Sequence, residues 1–124
     1  MSEASNSKRY DLEERTLEYG KQIIRLAKSI SKTTVNLPLI SQVVRSGTSV
    51  GANYREANET STKKDFLFRM RICRKEAKET GYWLKIIVEA NPELESQIAP
   101  LLQETTELVK IFATIIIKSE VKVW

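Results

Sequence analysis

Apolar residues recur along this chain at alternating spacings of three and four, the separation that places side chains on one face of a helix. Four segments carry the pattern. The first holds Leu12, Thr16, Tyr19, Ile23, Leu26 and Ile30, and the second Ile40, Val43, Gly47, Val50, Tyr54 and Ala57. The third holds Phe66, Met70, Cys73, Ala77, Thr80, Leu84 and Ile87, and the fourth Leu94, Ile98, Leu101, Thr105, Leu108, Phe112 and Ile115. Breaks in the chain agree with these stripes. Asn36-Leu37-Pro38 stops one helix and starts the next, because proline in a first turn forfeits no hydrogen bond. Thr62 with Asp65 three positions on resembles a capping box, and Asn91-Pro92-Glu93 repeats the stop-and-start signal. Pro100 is dissonant: it predicts either a helix that begins near Ala99 after a separate turn, or a kink.

These signals predict helices over roughly 11–32, 38–58, 62–91 and 93–119, with residues 1–10 as a flexible tail. Long helices joined by short loops run antiparallel to their neighbours. The expectation is therefore an all-α, antiparallel up-down-up-down four-helix bundle, a single domain over residues 1–124. The length of 124 residues suits one such core.

The composition removes several function classes. The longest apolar runs, such as Ile115–Ile117, fall far short of the roughly 20 residues that span a bilayer, so no membrane role is expected. No stretch of signal-peptide type opens the sequence, and the single cysteine has no internal partner; both fit a cytoplasmic protein. There is no histidine, which takes away the commonest general base, the commonest metal ligand and the Glu-x-x-His pairs of di-metal bundles. Cys73 falls in a core stripe, where a thiol behaves as a small hydrophobe. Gly47 and Gly51 have no strand before them and no Lys-Ser/Thr after, so they form no phosphate loop. Carboxylate pairs such as Glu13/Glu14 and Glu76/Glu79 read best as solvated helix faces. Neither an enzyme, nor a metal, nor a cofactor is expected.

Three features exceed a plain bundle. The run Ser46-Gly-Thr-Ser-Val-Gly-Ala52 is dense in small residues, and glycine in a helix costs about 1 kcal/mol against alanine. Gly47 and Gly51 therefore serve a close helix approach, either within the chain or between subunits. Phe68 and Tyr82 lie fourteen residues apart on the outer row of the third helix with Lys75 midway, and Trp83 sits beside the core. Outward rings point to self-association, the plainer reading being a snorkelling Tyr82 or a slightly rotated helix. Finally, the net charge of +4 is concentrated: Lys63 to Lys85 holds eight basic and three acidic residues. Lys64, Arg71, Lys78 and Lys85 repeat every seven positions over about 30 Å, widened by Arg74 and Lys75. Such a row can follow nucleic-acid phosphates; otherwise it is a solvated face with local pairs such as Lys75–Glu79. With no aromatic–basic platform evident in the sequence, structured or duplex RNA is the expected target.

Longer motifs are recognisable. Arg45-Ser46, Thr48-Ser49, Gly51-Ala-Asn-Tyr-Arg-Glu-Ala57, Lys64-Asp-Phe66, Lys75-Glu-Ala77, Glu79-Thr80 and Tyr82-Trp-Leu84 resemble the bacterial four-helix-bundle family named for proteins encoded in 23S rRNA intervening sequences. The likeness extends to Glu104 and to Leu108-Val-Lys-Ile111. It implies a four-helix fold, a ring-shaped homopentamer and no enzymatic activity, with RNA or ribosomal association suggested by where some of the genes lie. It provides no catalytic residues; Asn53, Arg55, Glu56, Glu76 and Glu79 are polar motif positions suited to helix-to-helix or subunit hydrogen bonds. The family is distantly similar to the accessory variability proteins of diversity-generating retroelements, basic pentamers that work with a reverse transcriptase. Two functions follow as expectations: a non-catalytic oligomeric RNA-associated protein, or an oligomeric scaffold recruiting a protein partner such as a reverse transcriptase.

Overall fold

A computed structural model describes residues 2–121, with side chains described for residues 12–121. Four helices follow in order: α1 (Ser2–Ser29), α2 (Asn36–Asn58), α3 (Lys63–Ala90) and, after a 3-10 turn at Pro92–Leu94, α4 (Glu95–Val121). No strand occurs among the described residues. Each helix packs along its sequence neighbours and α1 also meets α4, which closes an up-down-up-down bundle. Residues 2–10, expected as part of a flexible tail, lie within α1, which starts at Ser2 rather than near 11.

The stripes are the core. All six residues of the first stripe are buried, Ile30 lying just past α1, and Val43, Val50, Met70, Cys73, Ala77, Leu84, Ile98, Leu108 and Phe112 reach 0% exposure. The stripes slip only near helix ends. Ile40, Phe66, Leu94 and Ile115 are half-buried, whereas Leu67 and Ile116, one position on from Phe66 and Ile115, are buried. An α-helix drifts by about 20° per heptad, so a strict three-four count points one residue off by the last turn.

Helix ends follow side-chain chemistry. α1 stops at Ser29, short of the expected 32, because Ser29 Oγ donates to the Leu26 carbonyl (2.8 Å) and Lys32 Nζ to those of Ala27 (3.2 Å) and Ile30 (2.9 Å). These bonds take up carbonyls that a further turn would have used. In α2, Thr33 Oγ1 accepts from the Asn36 N–H (3.0 Å) and Pro38 lies in the first turn. α4 begins at Glu95, close to the expected 93, and continues through Pro100; of the two readings of that proline, a separate start near Ala99 does not hold, because the 3-10 turn after Asn91 already sets the helix direction. Pro100 is exposed, so its ring meets solvent.

Buried side-chain nitrogen and oxygen atoms are all partnered among the described residues. Halfway along the bundle the Thr80 and Ser46 hydroxyls meet at 2.9 Å, and each also lies within reach of the carbonyl four residues back, Glu76 at 2.7 Å and Gln42 at 3.0 Å. The Tyr19 hydroxyl donates to Thr105, which donates to the Leu101 carbonyl (2.7 Å). Burial pushes the Tyr19 hydroxyl up to about 12 against the lowering effect of its bonds to Thr105 and Thr80. At one end of the bundle Asn36 and Asn91 exchange two amide hydrogen bonds of 2.9 Å each, and they also reach the carbonyls of Ser31 (2.9 Å) and Ile87 (3.0 Å).

Candidate nucleic-acid interface

α3 is anchored at its start by Thr62, an extended N-cap whose hydroxyl accepts from the Asp65 N–H at 3.1 Å. Its core stripe fixes the rotation, and the opposite side therefore faces outward. Lys64, Phe68, Arg71, Lys75, Lys78, Tyr82 and Lys85 are all exposed, the two rings by 58% and 57%. Their spacing is four-three throughout, so cations and rings form one row rather than two. Lys85 is turned about 60° from Lys64 by the heptad drift. Arg74 is half-buried at the row's edge.

Electrostatics separates these candidates. Arg71 is bonded to Glu120 of α4, whereas Lys64, Lys75, Lys78 and Lys85 make no ion pair with a described residue. The Lys75–Glu79 pair expected from spacing does not form, because Glu79 is taken: it accepts from Arg45 of α2 and from Trp83 Nε1 (3.1 Å). Arg45 also reaches Glu76 at 3.2 Å. Glu76 and Glu79, which flank the row, are thus turned toward α2 and share the Arg45 guanidinium rather than pairing with the outward lysines.

The aromatic candidates divide too. Trp83 is half-buried, packs against the core and donates to Glu79. Tyr82 stands edge-on to it, with centroids 5.0 Å apart at 75°. The Arg69 guanidinium lies 5.9 Å from the Phe68 centroid and donates to Asn53 Oδ1 (3.1 Å). Arg45 and Arg69 hold these groups in place; in the sequence Arg45 stands out only as part of the Arg45-Ser46 motif piece, and Arg69 only as one of the basic residues of the third helix. Of the motif positions, Asn53, Glu76 and Glu79 bond between α2 and α3, while Arg55 and Glu56 are exposed.

Gly47 and Gly51 face α1 of the same chain. A Cβ on Gly47 would lie 2.8 Å from Ile23 Cγ1, and one on Gly51 3.2 Å from the Thr16 carbonyl oxygen. The close approach is therefore intramolecular, which answers the small-residue run without a subunit contact. Beside it, a groove of about 360 Å³ lies between α1 and α2, bordered by Leu17, Gly20, Ile24, Thr48 and Ala52.

Cys73 is fully buried, and burial pushes its thiol up to about 12, far from a nucleophile's range. No three His, Cys, Asp or Glu side chains converge to hold a metal among the described residues, and no helix there is long and apolar enough to cross a membrane.

No curated protein matches this sequence. A crystal structure of a protein of unknown function from the S23 ribosomal protein family of Bacteroides thetaiotaomicron matches with a TM-score of 0.80 and 32% identity, covering 88% of this chain and 97% of that one. The family model described as 23S rRNA-intervening sequence protein matches residues 8–114. Over most of its length, and in both sequence and fold, this chain belongs to the family of 23S rRNA-intervening sequence proteins.

Proposed function

We propose that the protein is a non-catalytic RNA-associated protein that works as a homo-oligomer in the cytoplasm. The observation that carries this reading is the outer row of α3, where four lysines stand exposed without an ionic partner among the described residues. Neutralising phosphates and releasing their counterions is what such a row does well. Membership of a family named for its 23S rRNA context agrees with an RNA partner. Five copies are the preferred assembly, following the family resemblance. The groove between α1 and α2, with Leu17 and Ile24 each 39% exposed, offers an apolar seat for a neighbouring subunit. Repetition of the α3 row around a ring would turn a modest charge per chain into a strong local field.

Light scattering at micromolar concentration is expected to give about five times 14.2 kDa. RNA affinity should fall at least about tenfold between about 50 and about 200 mM salt. Changing Lys64, Lys75 and Lys78 together to Glu is expected to abolish RNA retention in a gel-shift assay while the assembly keeps its mass. Wild-type protein that binds no RNA at low salt would instead favour a scaffold that recruits a protein partner such as a reverse transcriptase.

A further inference from the structure

We propose that the outer face of α3 takes the unpaired nucleotides of single-stranded RNA, stacking bases on Phe68 and Tyr82 and holding the intervening phosphates with Lys75 and Lys78. The inference rests on the RNA reading above and narrows it to unpaired strands, in place of the structured or duplex RNA expected when rings and cations are read as separate rows.

Its basis is the composition of one row. Each ring has a cation four positions before it and another three after it: Lys64–Phe68–Arg71, then Lys78–Tyr82–Lys85, with Lys75 between the two sets. The same module occurs twice, its rings about 21 Å apart along the helix. Both rings are more than half exposed, which for Phe68 leaves a large apolar surface in water amid charged neighbours. A subunit contact would explain exposed rings alone. It explains the rest of the row poorly, since four of its seven positions are lysines without an ionic partner among the described residues, and burying unpaired charges against another protein is costly. A nucleic-acid strand meets both demands, because it supplies phosphates and flat apolar bases in alternation.

The rings are also buttressed. The Arg69 guanidinium lies over Phe68, held by Asn53, and Trp83 braces Tyr82 edge-on while fixed to Glu79. Each ring thus has one such neighbour and leaves its outer side open. Duplex RNA cannot use such surfaces: its bases are already stacked inside the helix, and only its backbone and groove edges are presented. Unpaired bases can splay out and stack, and stacking is tolerant of sequence.

The test measures fluorescence anisotropy with two probes of about 20 nucleotides, an unstructured single strand and a blunt duplex, on full-length protein. Phe68→Ala/Tyr82→Ala is expected to weaken single-strand binding by at least about tenfold, with less than about twofold change on the duplex. Phe68→Trp/Tyr82→Trp should restore it. Equal losses on both probes, or no loss on either, would overturn the stacking role while leaving the RNA reading intact. A drop in assembly mass for the double alanine variant would overturn it as well, marking the rings as a subunit contact. Absence of binding to both probes by the wild type would defeat the RNA reading itself, and the stacking role with it.

Discussion

At the scale of single residues, Gly47 and Gly20 show how one substitution takes opposite signs. Alanine is favoured over glycine in a helix by about 1 kcal/mol. At Gly20 the added methyl would first meet Thr48 Cα at 3.8 Å, an ordinary contact, so Gly20→Ala is expected to stabilise by about 0.5–1 kcal/mol. At Gly47 the methyl would enter the Ile23 side chain at 2.8 Å from Cγ1 and 3.3 Å from Cβ, close to its stem rather than its free end. Overpacking of that kind costs about 1–3 kcal/mol, so Gly47→Ala is expected to destabilise by about 1 kcal/mol or more. Chemical denaturation of both variants checks the pair; equal shifts in the same direction would remove the close-approach account of Gly47.

At the scale of helices, the sequence was most informative where a pattern repeats. Four stripes named the cores of four helices, and Thr62 with Asp65 marked the start of α3. What escaped it depends on pairs distant along the chain. Nothing near Glu79 in sequence reveals that Arg45 claims it, so the spacing suggested a Lys75–Glu79 pair that does not form. The merged row of cations and rings on α3 was legible in principle, since its spacing is strictly four-three. Treating rings and charges as separate rows hid it. Pro100 misled differently: in isolation it reads as a start signal, yet the 3-10 turn before Glu95 carries the chain into α4 earlier. At position 100 the ring removes a bond to the Ser96 carbonyl and crowds it, a cost of up to about 3 kcal/mol in a helix interior. Pro100→Ala, at an exposed site, is therefore expected to stabilise by about 1–2 kcal/mol once the lost rigidity of the unfolded chain is allowed for. An unchanged melting temperature would mean that α4 already absorbs the proline without strain.

At the scale of the whole molecule, the bundle is held chiefly by its stripes, and most bridges among the described residues join different helices. Arg15 grips Glu104 through two bonds of 2.6 and 3.0 Å across the α1–α4 seam, and Arg71 joins Glu120 across α3 and α4. Both pairs are partly exposed, so each contributes little to stability. Arg15, with Arg25 bound to Glu18, is thereby occupied within the chain, which leaves α3 as the stronger basic face. The amide exchange between Asn36 and Asn91 is of another kind. It joins residues 55 apart in sequence, one at the entry to α2 and one at the exit from α3. Such a clasp can close only after α2 and α3 lie side by side in their final register, so it belongs to the end of folding rather than its nucleus. Asn91→Ala, which strands a buried amide at a cost of about 1–2 kcal/mol, should leave the refolding rate unchanged and speed unfolding by about 5- to 30-fold. Stopped-flow chevrons would register this as a shift of one limb alone; slower refolding would place the clasp in the transition state. The pair of asparagines would then govern how long a folded bundle lasts rather than how quickly it forms, a timer set at the end of the molecule farthest from Glu120.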